Sequence, residues 1–270
     1  MTIRYEKQGN IAIFTLDNPP VNTWTPQQHK DFYHHLRDFL QDDDIHVGIL
    51  TGEGDRCFSA GDDIKTPRPK RTASEQVKLH LSESREDQPP EYPGWEREVL
   101  SMRRFKPIIG AVNGICVGQG MAYLMMLTDI RIAARHAQIG LPEIAWGMGG
   151  AGGAIRLSRF IPHSCAMYML LTGEKLSAQR AYEYTILNEV VEKEDLMPRA
   201  MEIAQRIAKM PPTAVRVEME ASTRCMDMNR EDALAFTDHL YRLQRLAADS
   251  SLPDFEKHLD RTSSPAQGNK

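Results

Sequence analysis

Glu143 stands in the setting best suited to proton transfer in this chain. It lies between Pro142 and Ile144-Ala145-Trp146, inside an apolar, glycine-rich run from residue 108 to residue 153. A carboxylate kept from water is pushed toward its neutral form, which suits it to accept and return a proton. Its local sequence leaves a second role open, because Pro-Glu also opens helices and an acid there complements the helix dipole. Upstream, Gly118-Gln119-Gly120 leads into the apolar segment 121–127. That pattern predicts a helix opened by a glycine turn, with first N–H groups that lack partners and carry partial positive charge. A second bend, Ser59-Ala60-Gly61-Asp62-Asp63, follows a buried-type strand at 47–51. Its glycine lets backbone approach a ligand closely, although the stretch alone reads equally as a plain turn. Two N–H donors converging from these bends would polarise a carbonyl oxygen as it becomes an oxyanion.

Other elements must hold these bends in place. Residues 3–7 and 11–16 alternate around Gly9-Asn10 and predict a β-hairpin. Thr25-Pro26-Gln27-Gln28 carries the signature of a capping box, and Phe32, Leu36, Phe39 and Leu40 continue a helical apolar face. Asp42-Asp43-Asp44 has no spaced acceptors after it and reads as a solvated loop rather than a calcium loop. Residues 66–93 are polar and proline-rich, and read as a surface excursion whose Arg68, Lys70 and Arg71 either face solvent or meet ligand phosphates. A helix is expected to resume near Gly94. Beyond the central stretch, helices are expected at 154–160 and 163–171, then one capped by Ser177, then a short strand at 190–191. From Asp195 onward the pattern is helical, over 197–210, 214–225 and 230–248. Strands first, then strands alternating with helices, then helices alone imply an α/β core with a helical C-terminal region.

Composition bounds the classes. The 270 residues are 41% apolar and 26% charged, with net charge −4, which gives no electrostatic reason to expect nucleic acid or an anionic membrane as partner. No apolar run approaches the ~20 residues that span a bilayer. The N-terminus lacks the apolar core of a signal peptide. Cys57, Cys116, Cys165 and Cys225 are far apart, which excludes the usual zinc spacings and implies reduced thiols in a cytoplasmic setting. Gly147, Gly149 and Gly152 match a dinucleotide-binding pattern formally. Pro142 interrupts the preceding segment, however, and no second strand with an acid follows at the required distance.

Several short motifs in order give a more specific reading. Ser59-Ala60-Gly61-Asp62-Asp63-Ile64-Lys65, Lys106-Pro107-Ile108-Ile109-Gly110-Ala111-Val112-Asn113-Gly114, Gly140-Leu141-Pro142-Glu143-Ile144, and Gly150-Ala151-Gly152-Gly153 with Arg156-Leu157 resemble the crotonase, or enoyl-CoA hydratase/isomerase, superfamily. The resemblance runs over residues 3–260. It implies a crotonase-like core of stacked ββα turns at 1–195, carrying an acyl-CoA site, and a helical trimerisation region at 196–270. It implies an acyl-CoA thioester as substrate, with coenzyme A entering as part of that substrate, no separate cofactor and no metal. It also implies a homotrimer or dimer of trimers. By the same resemblance the oxyanion donors are the N–H groups of Asp62 and Gln119, Glu143 is the acid/base, and the adenine end of CoA lies near Ala60 and Ile64.

Three departures from the family pattern bear on the reaction. The first of the two glutamates usual in hydratases falls on Ala122, which cannot move a proton. The usual glycine at the oxyanion position is Gln119. The loop after Glu143 is shorter than usual and carries Trp146, which is expected to shape the acyl pocket. A lone glutamate suffices to shift a proton between the α- and γ-carbons of a 3-enoyl thioester, and with a relaying water it serves hydration less efficiently. The run Glu143-Ile144-Ala145-Trp146-Gly147 also resembles hydroxycinnamoyl-CoA hydratase-lyases, where Tyr241 is a candidate to meet the acyl tail. An inert CoA-binding scaffold is the alternative from a different class.

Overall fold

The computed structural model describes residues 2–66, 69–81, 92 and 94–248. The N-terminal hairpin forms as expected: β1 (Thr2–Gln8) pairs antiparallel with β2 (Ile11–Asp17) across Gly9-Asn10. α1 (Pro26–Gln41) opens on Thr25, whose side chain accepts from the Gln28 N–H, with Pro26 in the first helical turn. Phe32, Leu36 and Phe39 are its buried face.

From there the chain winds in a spiral that alternates between two sheets. β3 (Val47–Gly52) joins the first sheet and β4 (Cys57–Ser59) the second. After α2 (Ala73–Leu81) and α3 (Trp95–Ser101), β5 (Ile108–Val112) returns to the first sheet and β6 (Ile115–Val117) to the second. α4 (Gln119–Leu127) then leads to β7 (Ile130–Ala134) and β8 (Gln138–Gly140), in the same alternation. Pairing is parallel within each sheet from turn to turn: β2 with β3, β3 with β5, β5 with β7, and β4 with β6, β6 with β8. This is the stacked ββα core that the family resemblance implies.

Strands buried on both faces explain the unbroken apolar runs at 47–50 and 108–112. Phe14, Leu50, Val112, Phe32 and Phe39 belong to the larger core on one side. Ile49, Ile109, Ala111 and Ile132 face the other way and pack with Leu196, Ala200 and Ala204 of a later helix. Gly114 is required where the spiral is tightest, since a Cβ there would lie 2.4 Å from the Arg56 backbone carbonyl.

A 3₁₀ helix (Pro142–Trp146) follows β8. The single helix expected at 154–160 is instead two turns, α5 (Ala151–Ala154) and α6 (Leu157–Phe160), because Arg156 adopts a left-handed φ of 55° and breaks the run. α7 (His163–Thr172) stops at Gly173, as its sequence indicates. β9 (Leu176–Ser177), α8 (Ala178–Glu183) capped by Ser177, and β10 (Glu189–Val191) complete the sheets.

The chain divides after Met210 into two compact units. α9 (Leu196–Ala208), grouped by its sequence with the C-terminal helices, belongs to the first unit through its buried Leu196, Ala200 and Ala204. α10 (Pro212–Cys225) and α11 (Arg230–Ala248) lie in the second. Among the described residues, no helix is long and apolar enough to cross a membrane.

Candidate active site

Sheet register brings the two glycine bends together. Ser59 of β4 pairs with Cys116 of β6, so the residues two beyond each, Gly61 and Gly118, emerge side by side. A Cβ on Gly61 would lie 3.4 Å from the Gln119 nitrogen, and one on Gly118 would lie 3.3 Å from the Gly61 Cα. Both glycines hold positive φ, 93° and 58°. Gly118 combines its φ with ψ −130°, a region only glycine enters readily.

The next residues on each side carry the expected donors. Gln119 is the first residue of α4, so its N–H has no partner within the helix. Among the described residues, neither the Asp62 N–H nor the Gln119 N–H makes a backbone hydrogen bond. Their flanks are tied down: the Trp24 N–H donates to Gly61 O at 2.9 Å and the Asp63 N–H to Trp24 O at 2.9 Å. Two unpaired donors on adjacent, fixed bends are the arrangement an oxyanion hole needs.

Glu143 closes the third side. Its Oε1 would lie 3.2 Å from a Cβ on Gly118. Its Oε2 is buried and has no hydrogen-bond partner among the described residues. Desolvation raises its pKa above the ordinary carboxyl value, its own backbone N–H offsets part of that, and the charge of Asp62 raises it further. Ile144 and Trp146 are 41% and 79% exposed, and the Gly118 turn packs against Glu143 Oε1.

A buried polar chain backs the oxyanion bends. His29 Nε2 lies 3.0 Å from Asp62 Oδ1, and His29 Nδ1 lies 2.6 Å from the Tyr123 hydroxyl. A carboxylate only accepts, so the bond at Asp62 Oδ1 is donated by Nε2–H of His29. Trp24 stacks on His29 and meets Tyr123 edge-on with centroids 4.7 Å apart. Burial holds the Tyr123 phenol well above its usual pKa, with Asp62 and Glu96 adding to the shift and the Gln119 amide opposing it. Gln119 Nε2 is itself buried without a hydrogen-bond partner among the described residues.

Sequence reasoning did not single out His29, Tyr123 or Trp24. The signal for His29 was present: it lies three and seven residues before Phe32 and Leu36, on the apolar face of α1. Tyr123 points inward from a helix whose positions 120–125 are all buried.

The other expected residues fall as follows. Ala122 is buried on α4, and its neighbour Met125 is buried too, so that helix face offers no carboxylate. Ala60 is half-buried and its N–H donates to Val21 O at 3.0 Å. Ile64 is 90% exposed just beyond the first bend. Trp146 ends the 3₁₀ helix. Tyr241 stands exposed on α11, in the second unit, where its hydroxyl accepts from Arg245 at 3.2 Å. Of the basic cluster, Lys70 is exposed and Arg71 half-buried, and Arg68 lies outside the described residues. Among the described residues no group of His, Cys, Asp and Glu is arranged to hold a metal ion.

Known proteins resemble this chain over most of its length. Residues 6–251 match the model of the enoyl-CoA hydratase/isomerase family. The chain is 32% identical to (E)-benzylidenesuccinyl-CoA hydratase of Thauera aromatica, over 91% of each protein. It is 33% identical to short-chain-enoyl-CoA hydratase of Clostridium acetobutylicum, over 87% of this chain and 86% of the relative. Carnitinyl-CoA dehydratase of Escherichia coli K12 is 29% identical over 87% and 85%. Among solved structures, an enoyl-CoA hydratase/isomerase from Mycobacterium paratuberculosis superposes with TM-score 0.78 at 29% identity, covering 96% of both chains. An enoyl-CoA hydratase subunit I from Geobacillus kaustophilus superposes with TM-score 0.79 at 28% identity, covering 99% of this chain and 98% of that one.

Proposed function

The chain belongs to the enoyl-CoA hydratase/isomerase family, and on that premise we propose that it adds water reversibly across the α,β double bond of an enoyl-CoA thioester. The observation that carries the reading is the meeting of two unpaired N–H donors, on Asp62 and Gln119, with the Glu143 carboxyl against Gly118. The thioester oxygen takes both N–H bonds as it gains charge. The α-carbon thereby becomes the place where a proton is accepted or released, and Glu143 moves that proton. Burial raises its pKa above the ordinary carboxyl value, which suits it to accept and return a proton. The adenine end of CoA is assigned to Ala60 and the exposed Ile64. Relatives that act as hydratases and a dehydratase support water addition and loss over other fates of the enolate. A trimer is part of the same reading, and the exposed Leu234, Leu243 and Leu246 of α11 are apolar surface that such an assembly would cover.

Ala122 favours a second reading, proton transfer between the α- and γ-carbons of a 3-enoyl-CoA, which needs one carboxylate only. Product analysis with crotonyl-CoA, 3-hexenoyl-CoA and feruloyl-CoA separates hydration from isomerisation and from C–C cleavage. Glu143→Gln is expected to lower turnover about 10²- to 10⁴-fold and leave acyl-CoA binding intact. Full activity in that variant would remove Glu143 from the reaction.

A further inference from the structure

Hydration needs a group to take a proton from water as well as one to deliver a proton to the α-carbon, and the helix face at Ala122 supplies neither. We propose that the Asp62 side chain is the second proton-transfer group of the site, with His29 and Tyr123 as its positioning residues. This inference rests on the hydration reading above.

The argument starts from place. Asp62 follows Gly61, whose Cα lies 3.3 Å from a Cβ on Gly118, and Glu143 Oε1 lies 3.2 Å from that same point. Glu143 and the residue before Asp62 therefore pack on one glycine contact. The charge of Asp62 is felt at Glu143, which it helps to keep protonated. Asp62 is also oriented. Its Oδ1 is held by His29 at 3.0 Å, while its side chain remains 37% exposed, so the carboxylate is not used up by that bond. His29 is 3% exposed, is fixed from behind by the Tyr123 hydroxyl at 2.6 Å, and is stacked under Trp24. A solvated surface aspartate has no need of a buried His–Tyr pair to aim it.

The step balances without a co-reactant. Asp62 carboxylate removes one proton from water as the water oxygen bonds to the β-carbon. The π electron pair moves into the thioester enolate, whose oxygen is held by the Asp62 and Gln119 N–H groups. Glu143, in its acid form, gives its proton to the α-carbon as that pair becomes the C–H bond. The proton on Asp62 then returns to Glu143 through solvent. The net change is addition of one water across the double bond.

Asp62→Asn tests this directly. The amide oxygen still accepts from His29 and the backbone N–H remains, so the bend keeps its ties while proton acceptance is lost. Two rates are compared: hydration of crotonyl-CoA, and exchange of the α-protons of butyryl-CoA with deuterated solvent, which needs Glu143 and the oxyanion donors but no water attack. The variant is expected to lose about 10²-fold or more in the kcat of hydration, with KM little changed, and less than about 10-fold in exchange. His29→Gln is expected to lower the same kcat without raising KM. Equal loss of both rates in Asp62→Asn would reduce Asp62 to a holder of the bend and overturn the proposal. Undiminished hydration in Asp62→Asn, with Glu143→Gln inactive, would overturn it and leave the function of Glu143 standing. Failure of the unsubstituted protein to hydrate any enoyl-CoA in the panel would overturn both.

Discussion

Replacing Gly118 by alanine tests whether the glycine contact is what assembles the site. The residue sits at φ 58° and ψ −130°, outside the ordinary left-handed basin, so a Cβ there costs about 1–3 kcal/mol of backbone strain. The new methyl would also lie 3.2 Å from Glu143 Oε1 and 3.3 Å from the Gly61 Cα. Both distances are tighter than ordinary van der Waals contact, so either the carboxylate or the oxyanion bend must give way. A misplacement on the order of 1 Å can cost 10²-fold in rate. Gly9→Ala is the control: Gly9 has φ 59° with nothing within 4 Å of its Cβ position, in the hairpin far from Glu143 in the fold. There only the left-handed strain of about 1–2 kcal/mol applies. Urea unfolding and crotonyl-CoA hydration, measured where both variants are folded, separate the effects. Both should lose stability, and only Gly118→Ala should lose kcat. A Gly118→Ala enzyme destabilised like the control but fully active would show that Glu143 does not work against this turn.

The remaining expectations concern pH and stability. Burial raises the Glu143 pKa, so the rate of butyryl-CoA α-exchange should rise with pH through an ionisation above the ordinary carboxyl value, and in Asp62→Asn that limb should move to lower pH because a raising charge is gone. The same shift carries a stability sign. A raised folded-state pKa gives a favourable contribution that is present in acid and lost as pH rises through it, so Glu143→Gln should have the higher urea midpoint near about pH 7 and no advantage near about pH 4. Asn113 donates to Gly52 O at 2.9 Å and Gly54 O at 2.7 Å, and accepts from the Gly52 N–H at 3.2 Å. Asn113→Ala removes these partners from the buried Gly52 N–H and C=O and should cost on the order of 1–3 kcal/mol in urea unfolding.

The sequence exposed whatever has a local cause. The hairpin at Gly9-Asn10, the Thr25–Gln28 cap and the stop at Gly173 are written in neighbouring residues, and each forms. The two glycine bends were legible from their glycines, and Glu143 from its motif. What escaped notice depends on distant packing. β6 and β8 are three residues each and read as parts of turns until parallel partners are known. Trp146 is legible by its type, while its place at the end of a 3₁₀ helix and its 79% exposure are not. His29 and Tyr123 meet across 94 positions in sequence, and no periodicity in either helix announces that bond.

Register sets where the two N–H donors stand, whatever side chains surround them. Once Ser59 pairs with Cys116 in parallel, Gly61 and Gly118 must lie side by side, and the next N–H on each chain must follow from neighbouring positions. That outcome depends on backbone alone, so the side chains at 62, 119 and 122 can change without dismantling the hole. Ala122 offers no carboxylate, Asp62 presents one from the bend itself, and Gln119 places an amide beside the Tyr123 that meets His29. On the proposal above, Asp62 takes up the proton-handling work that the α4 face at Ala122 does not offer. On that reading, strand register sets where an enolate would be stabilised, and these three side chains set what would become of it.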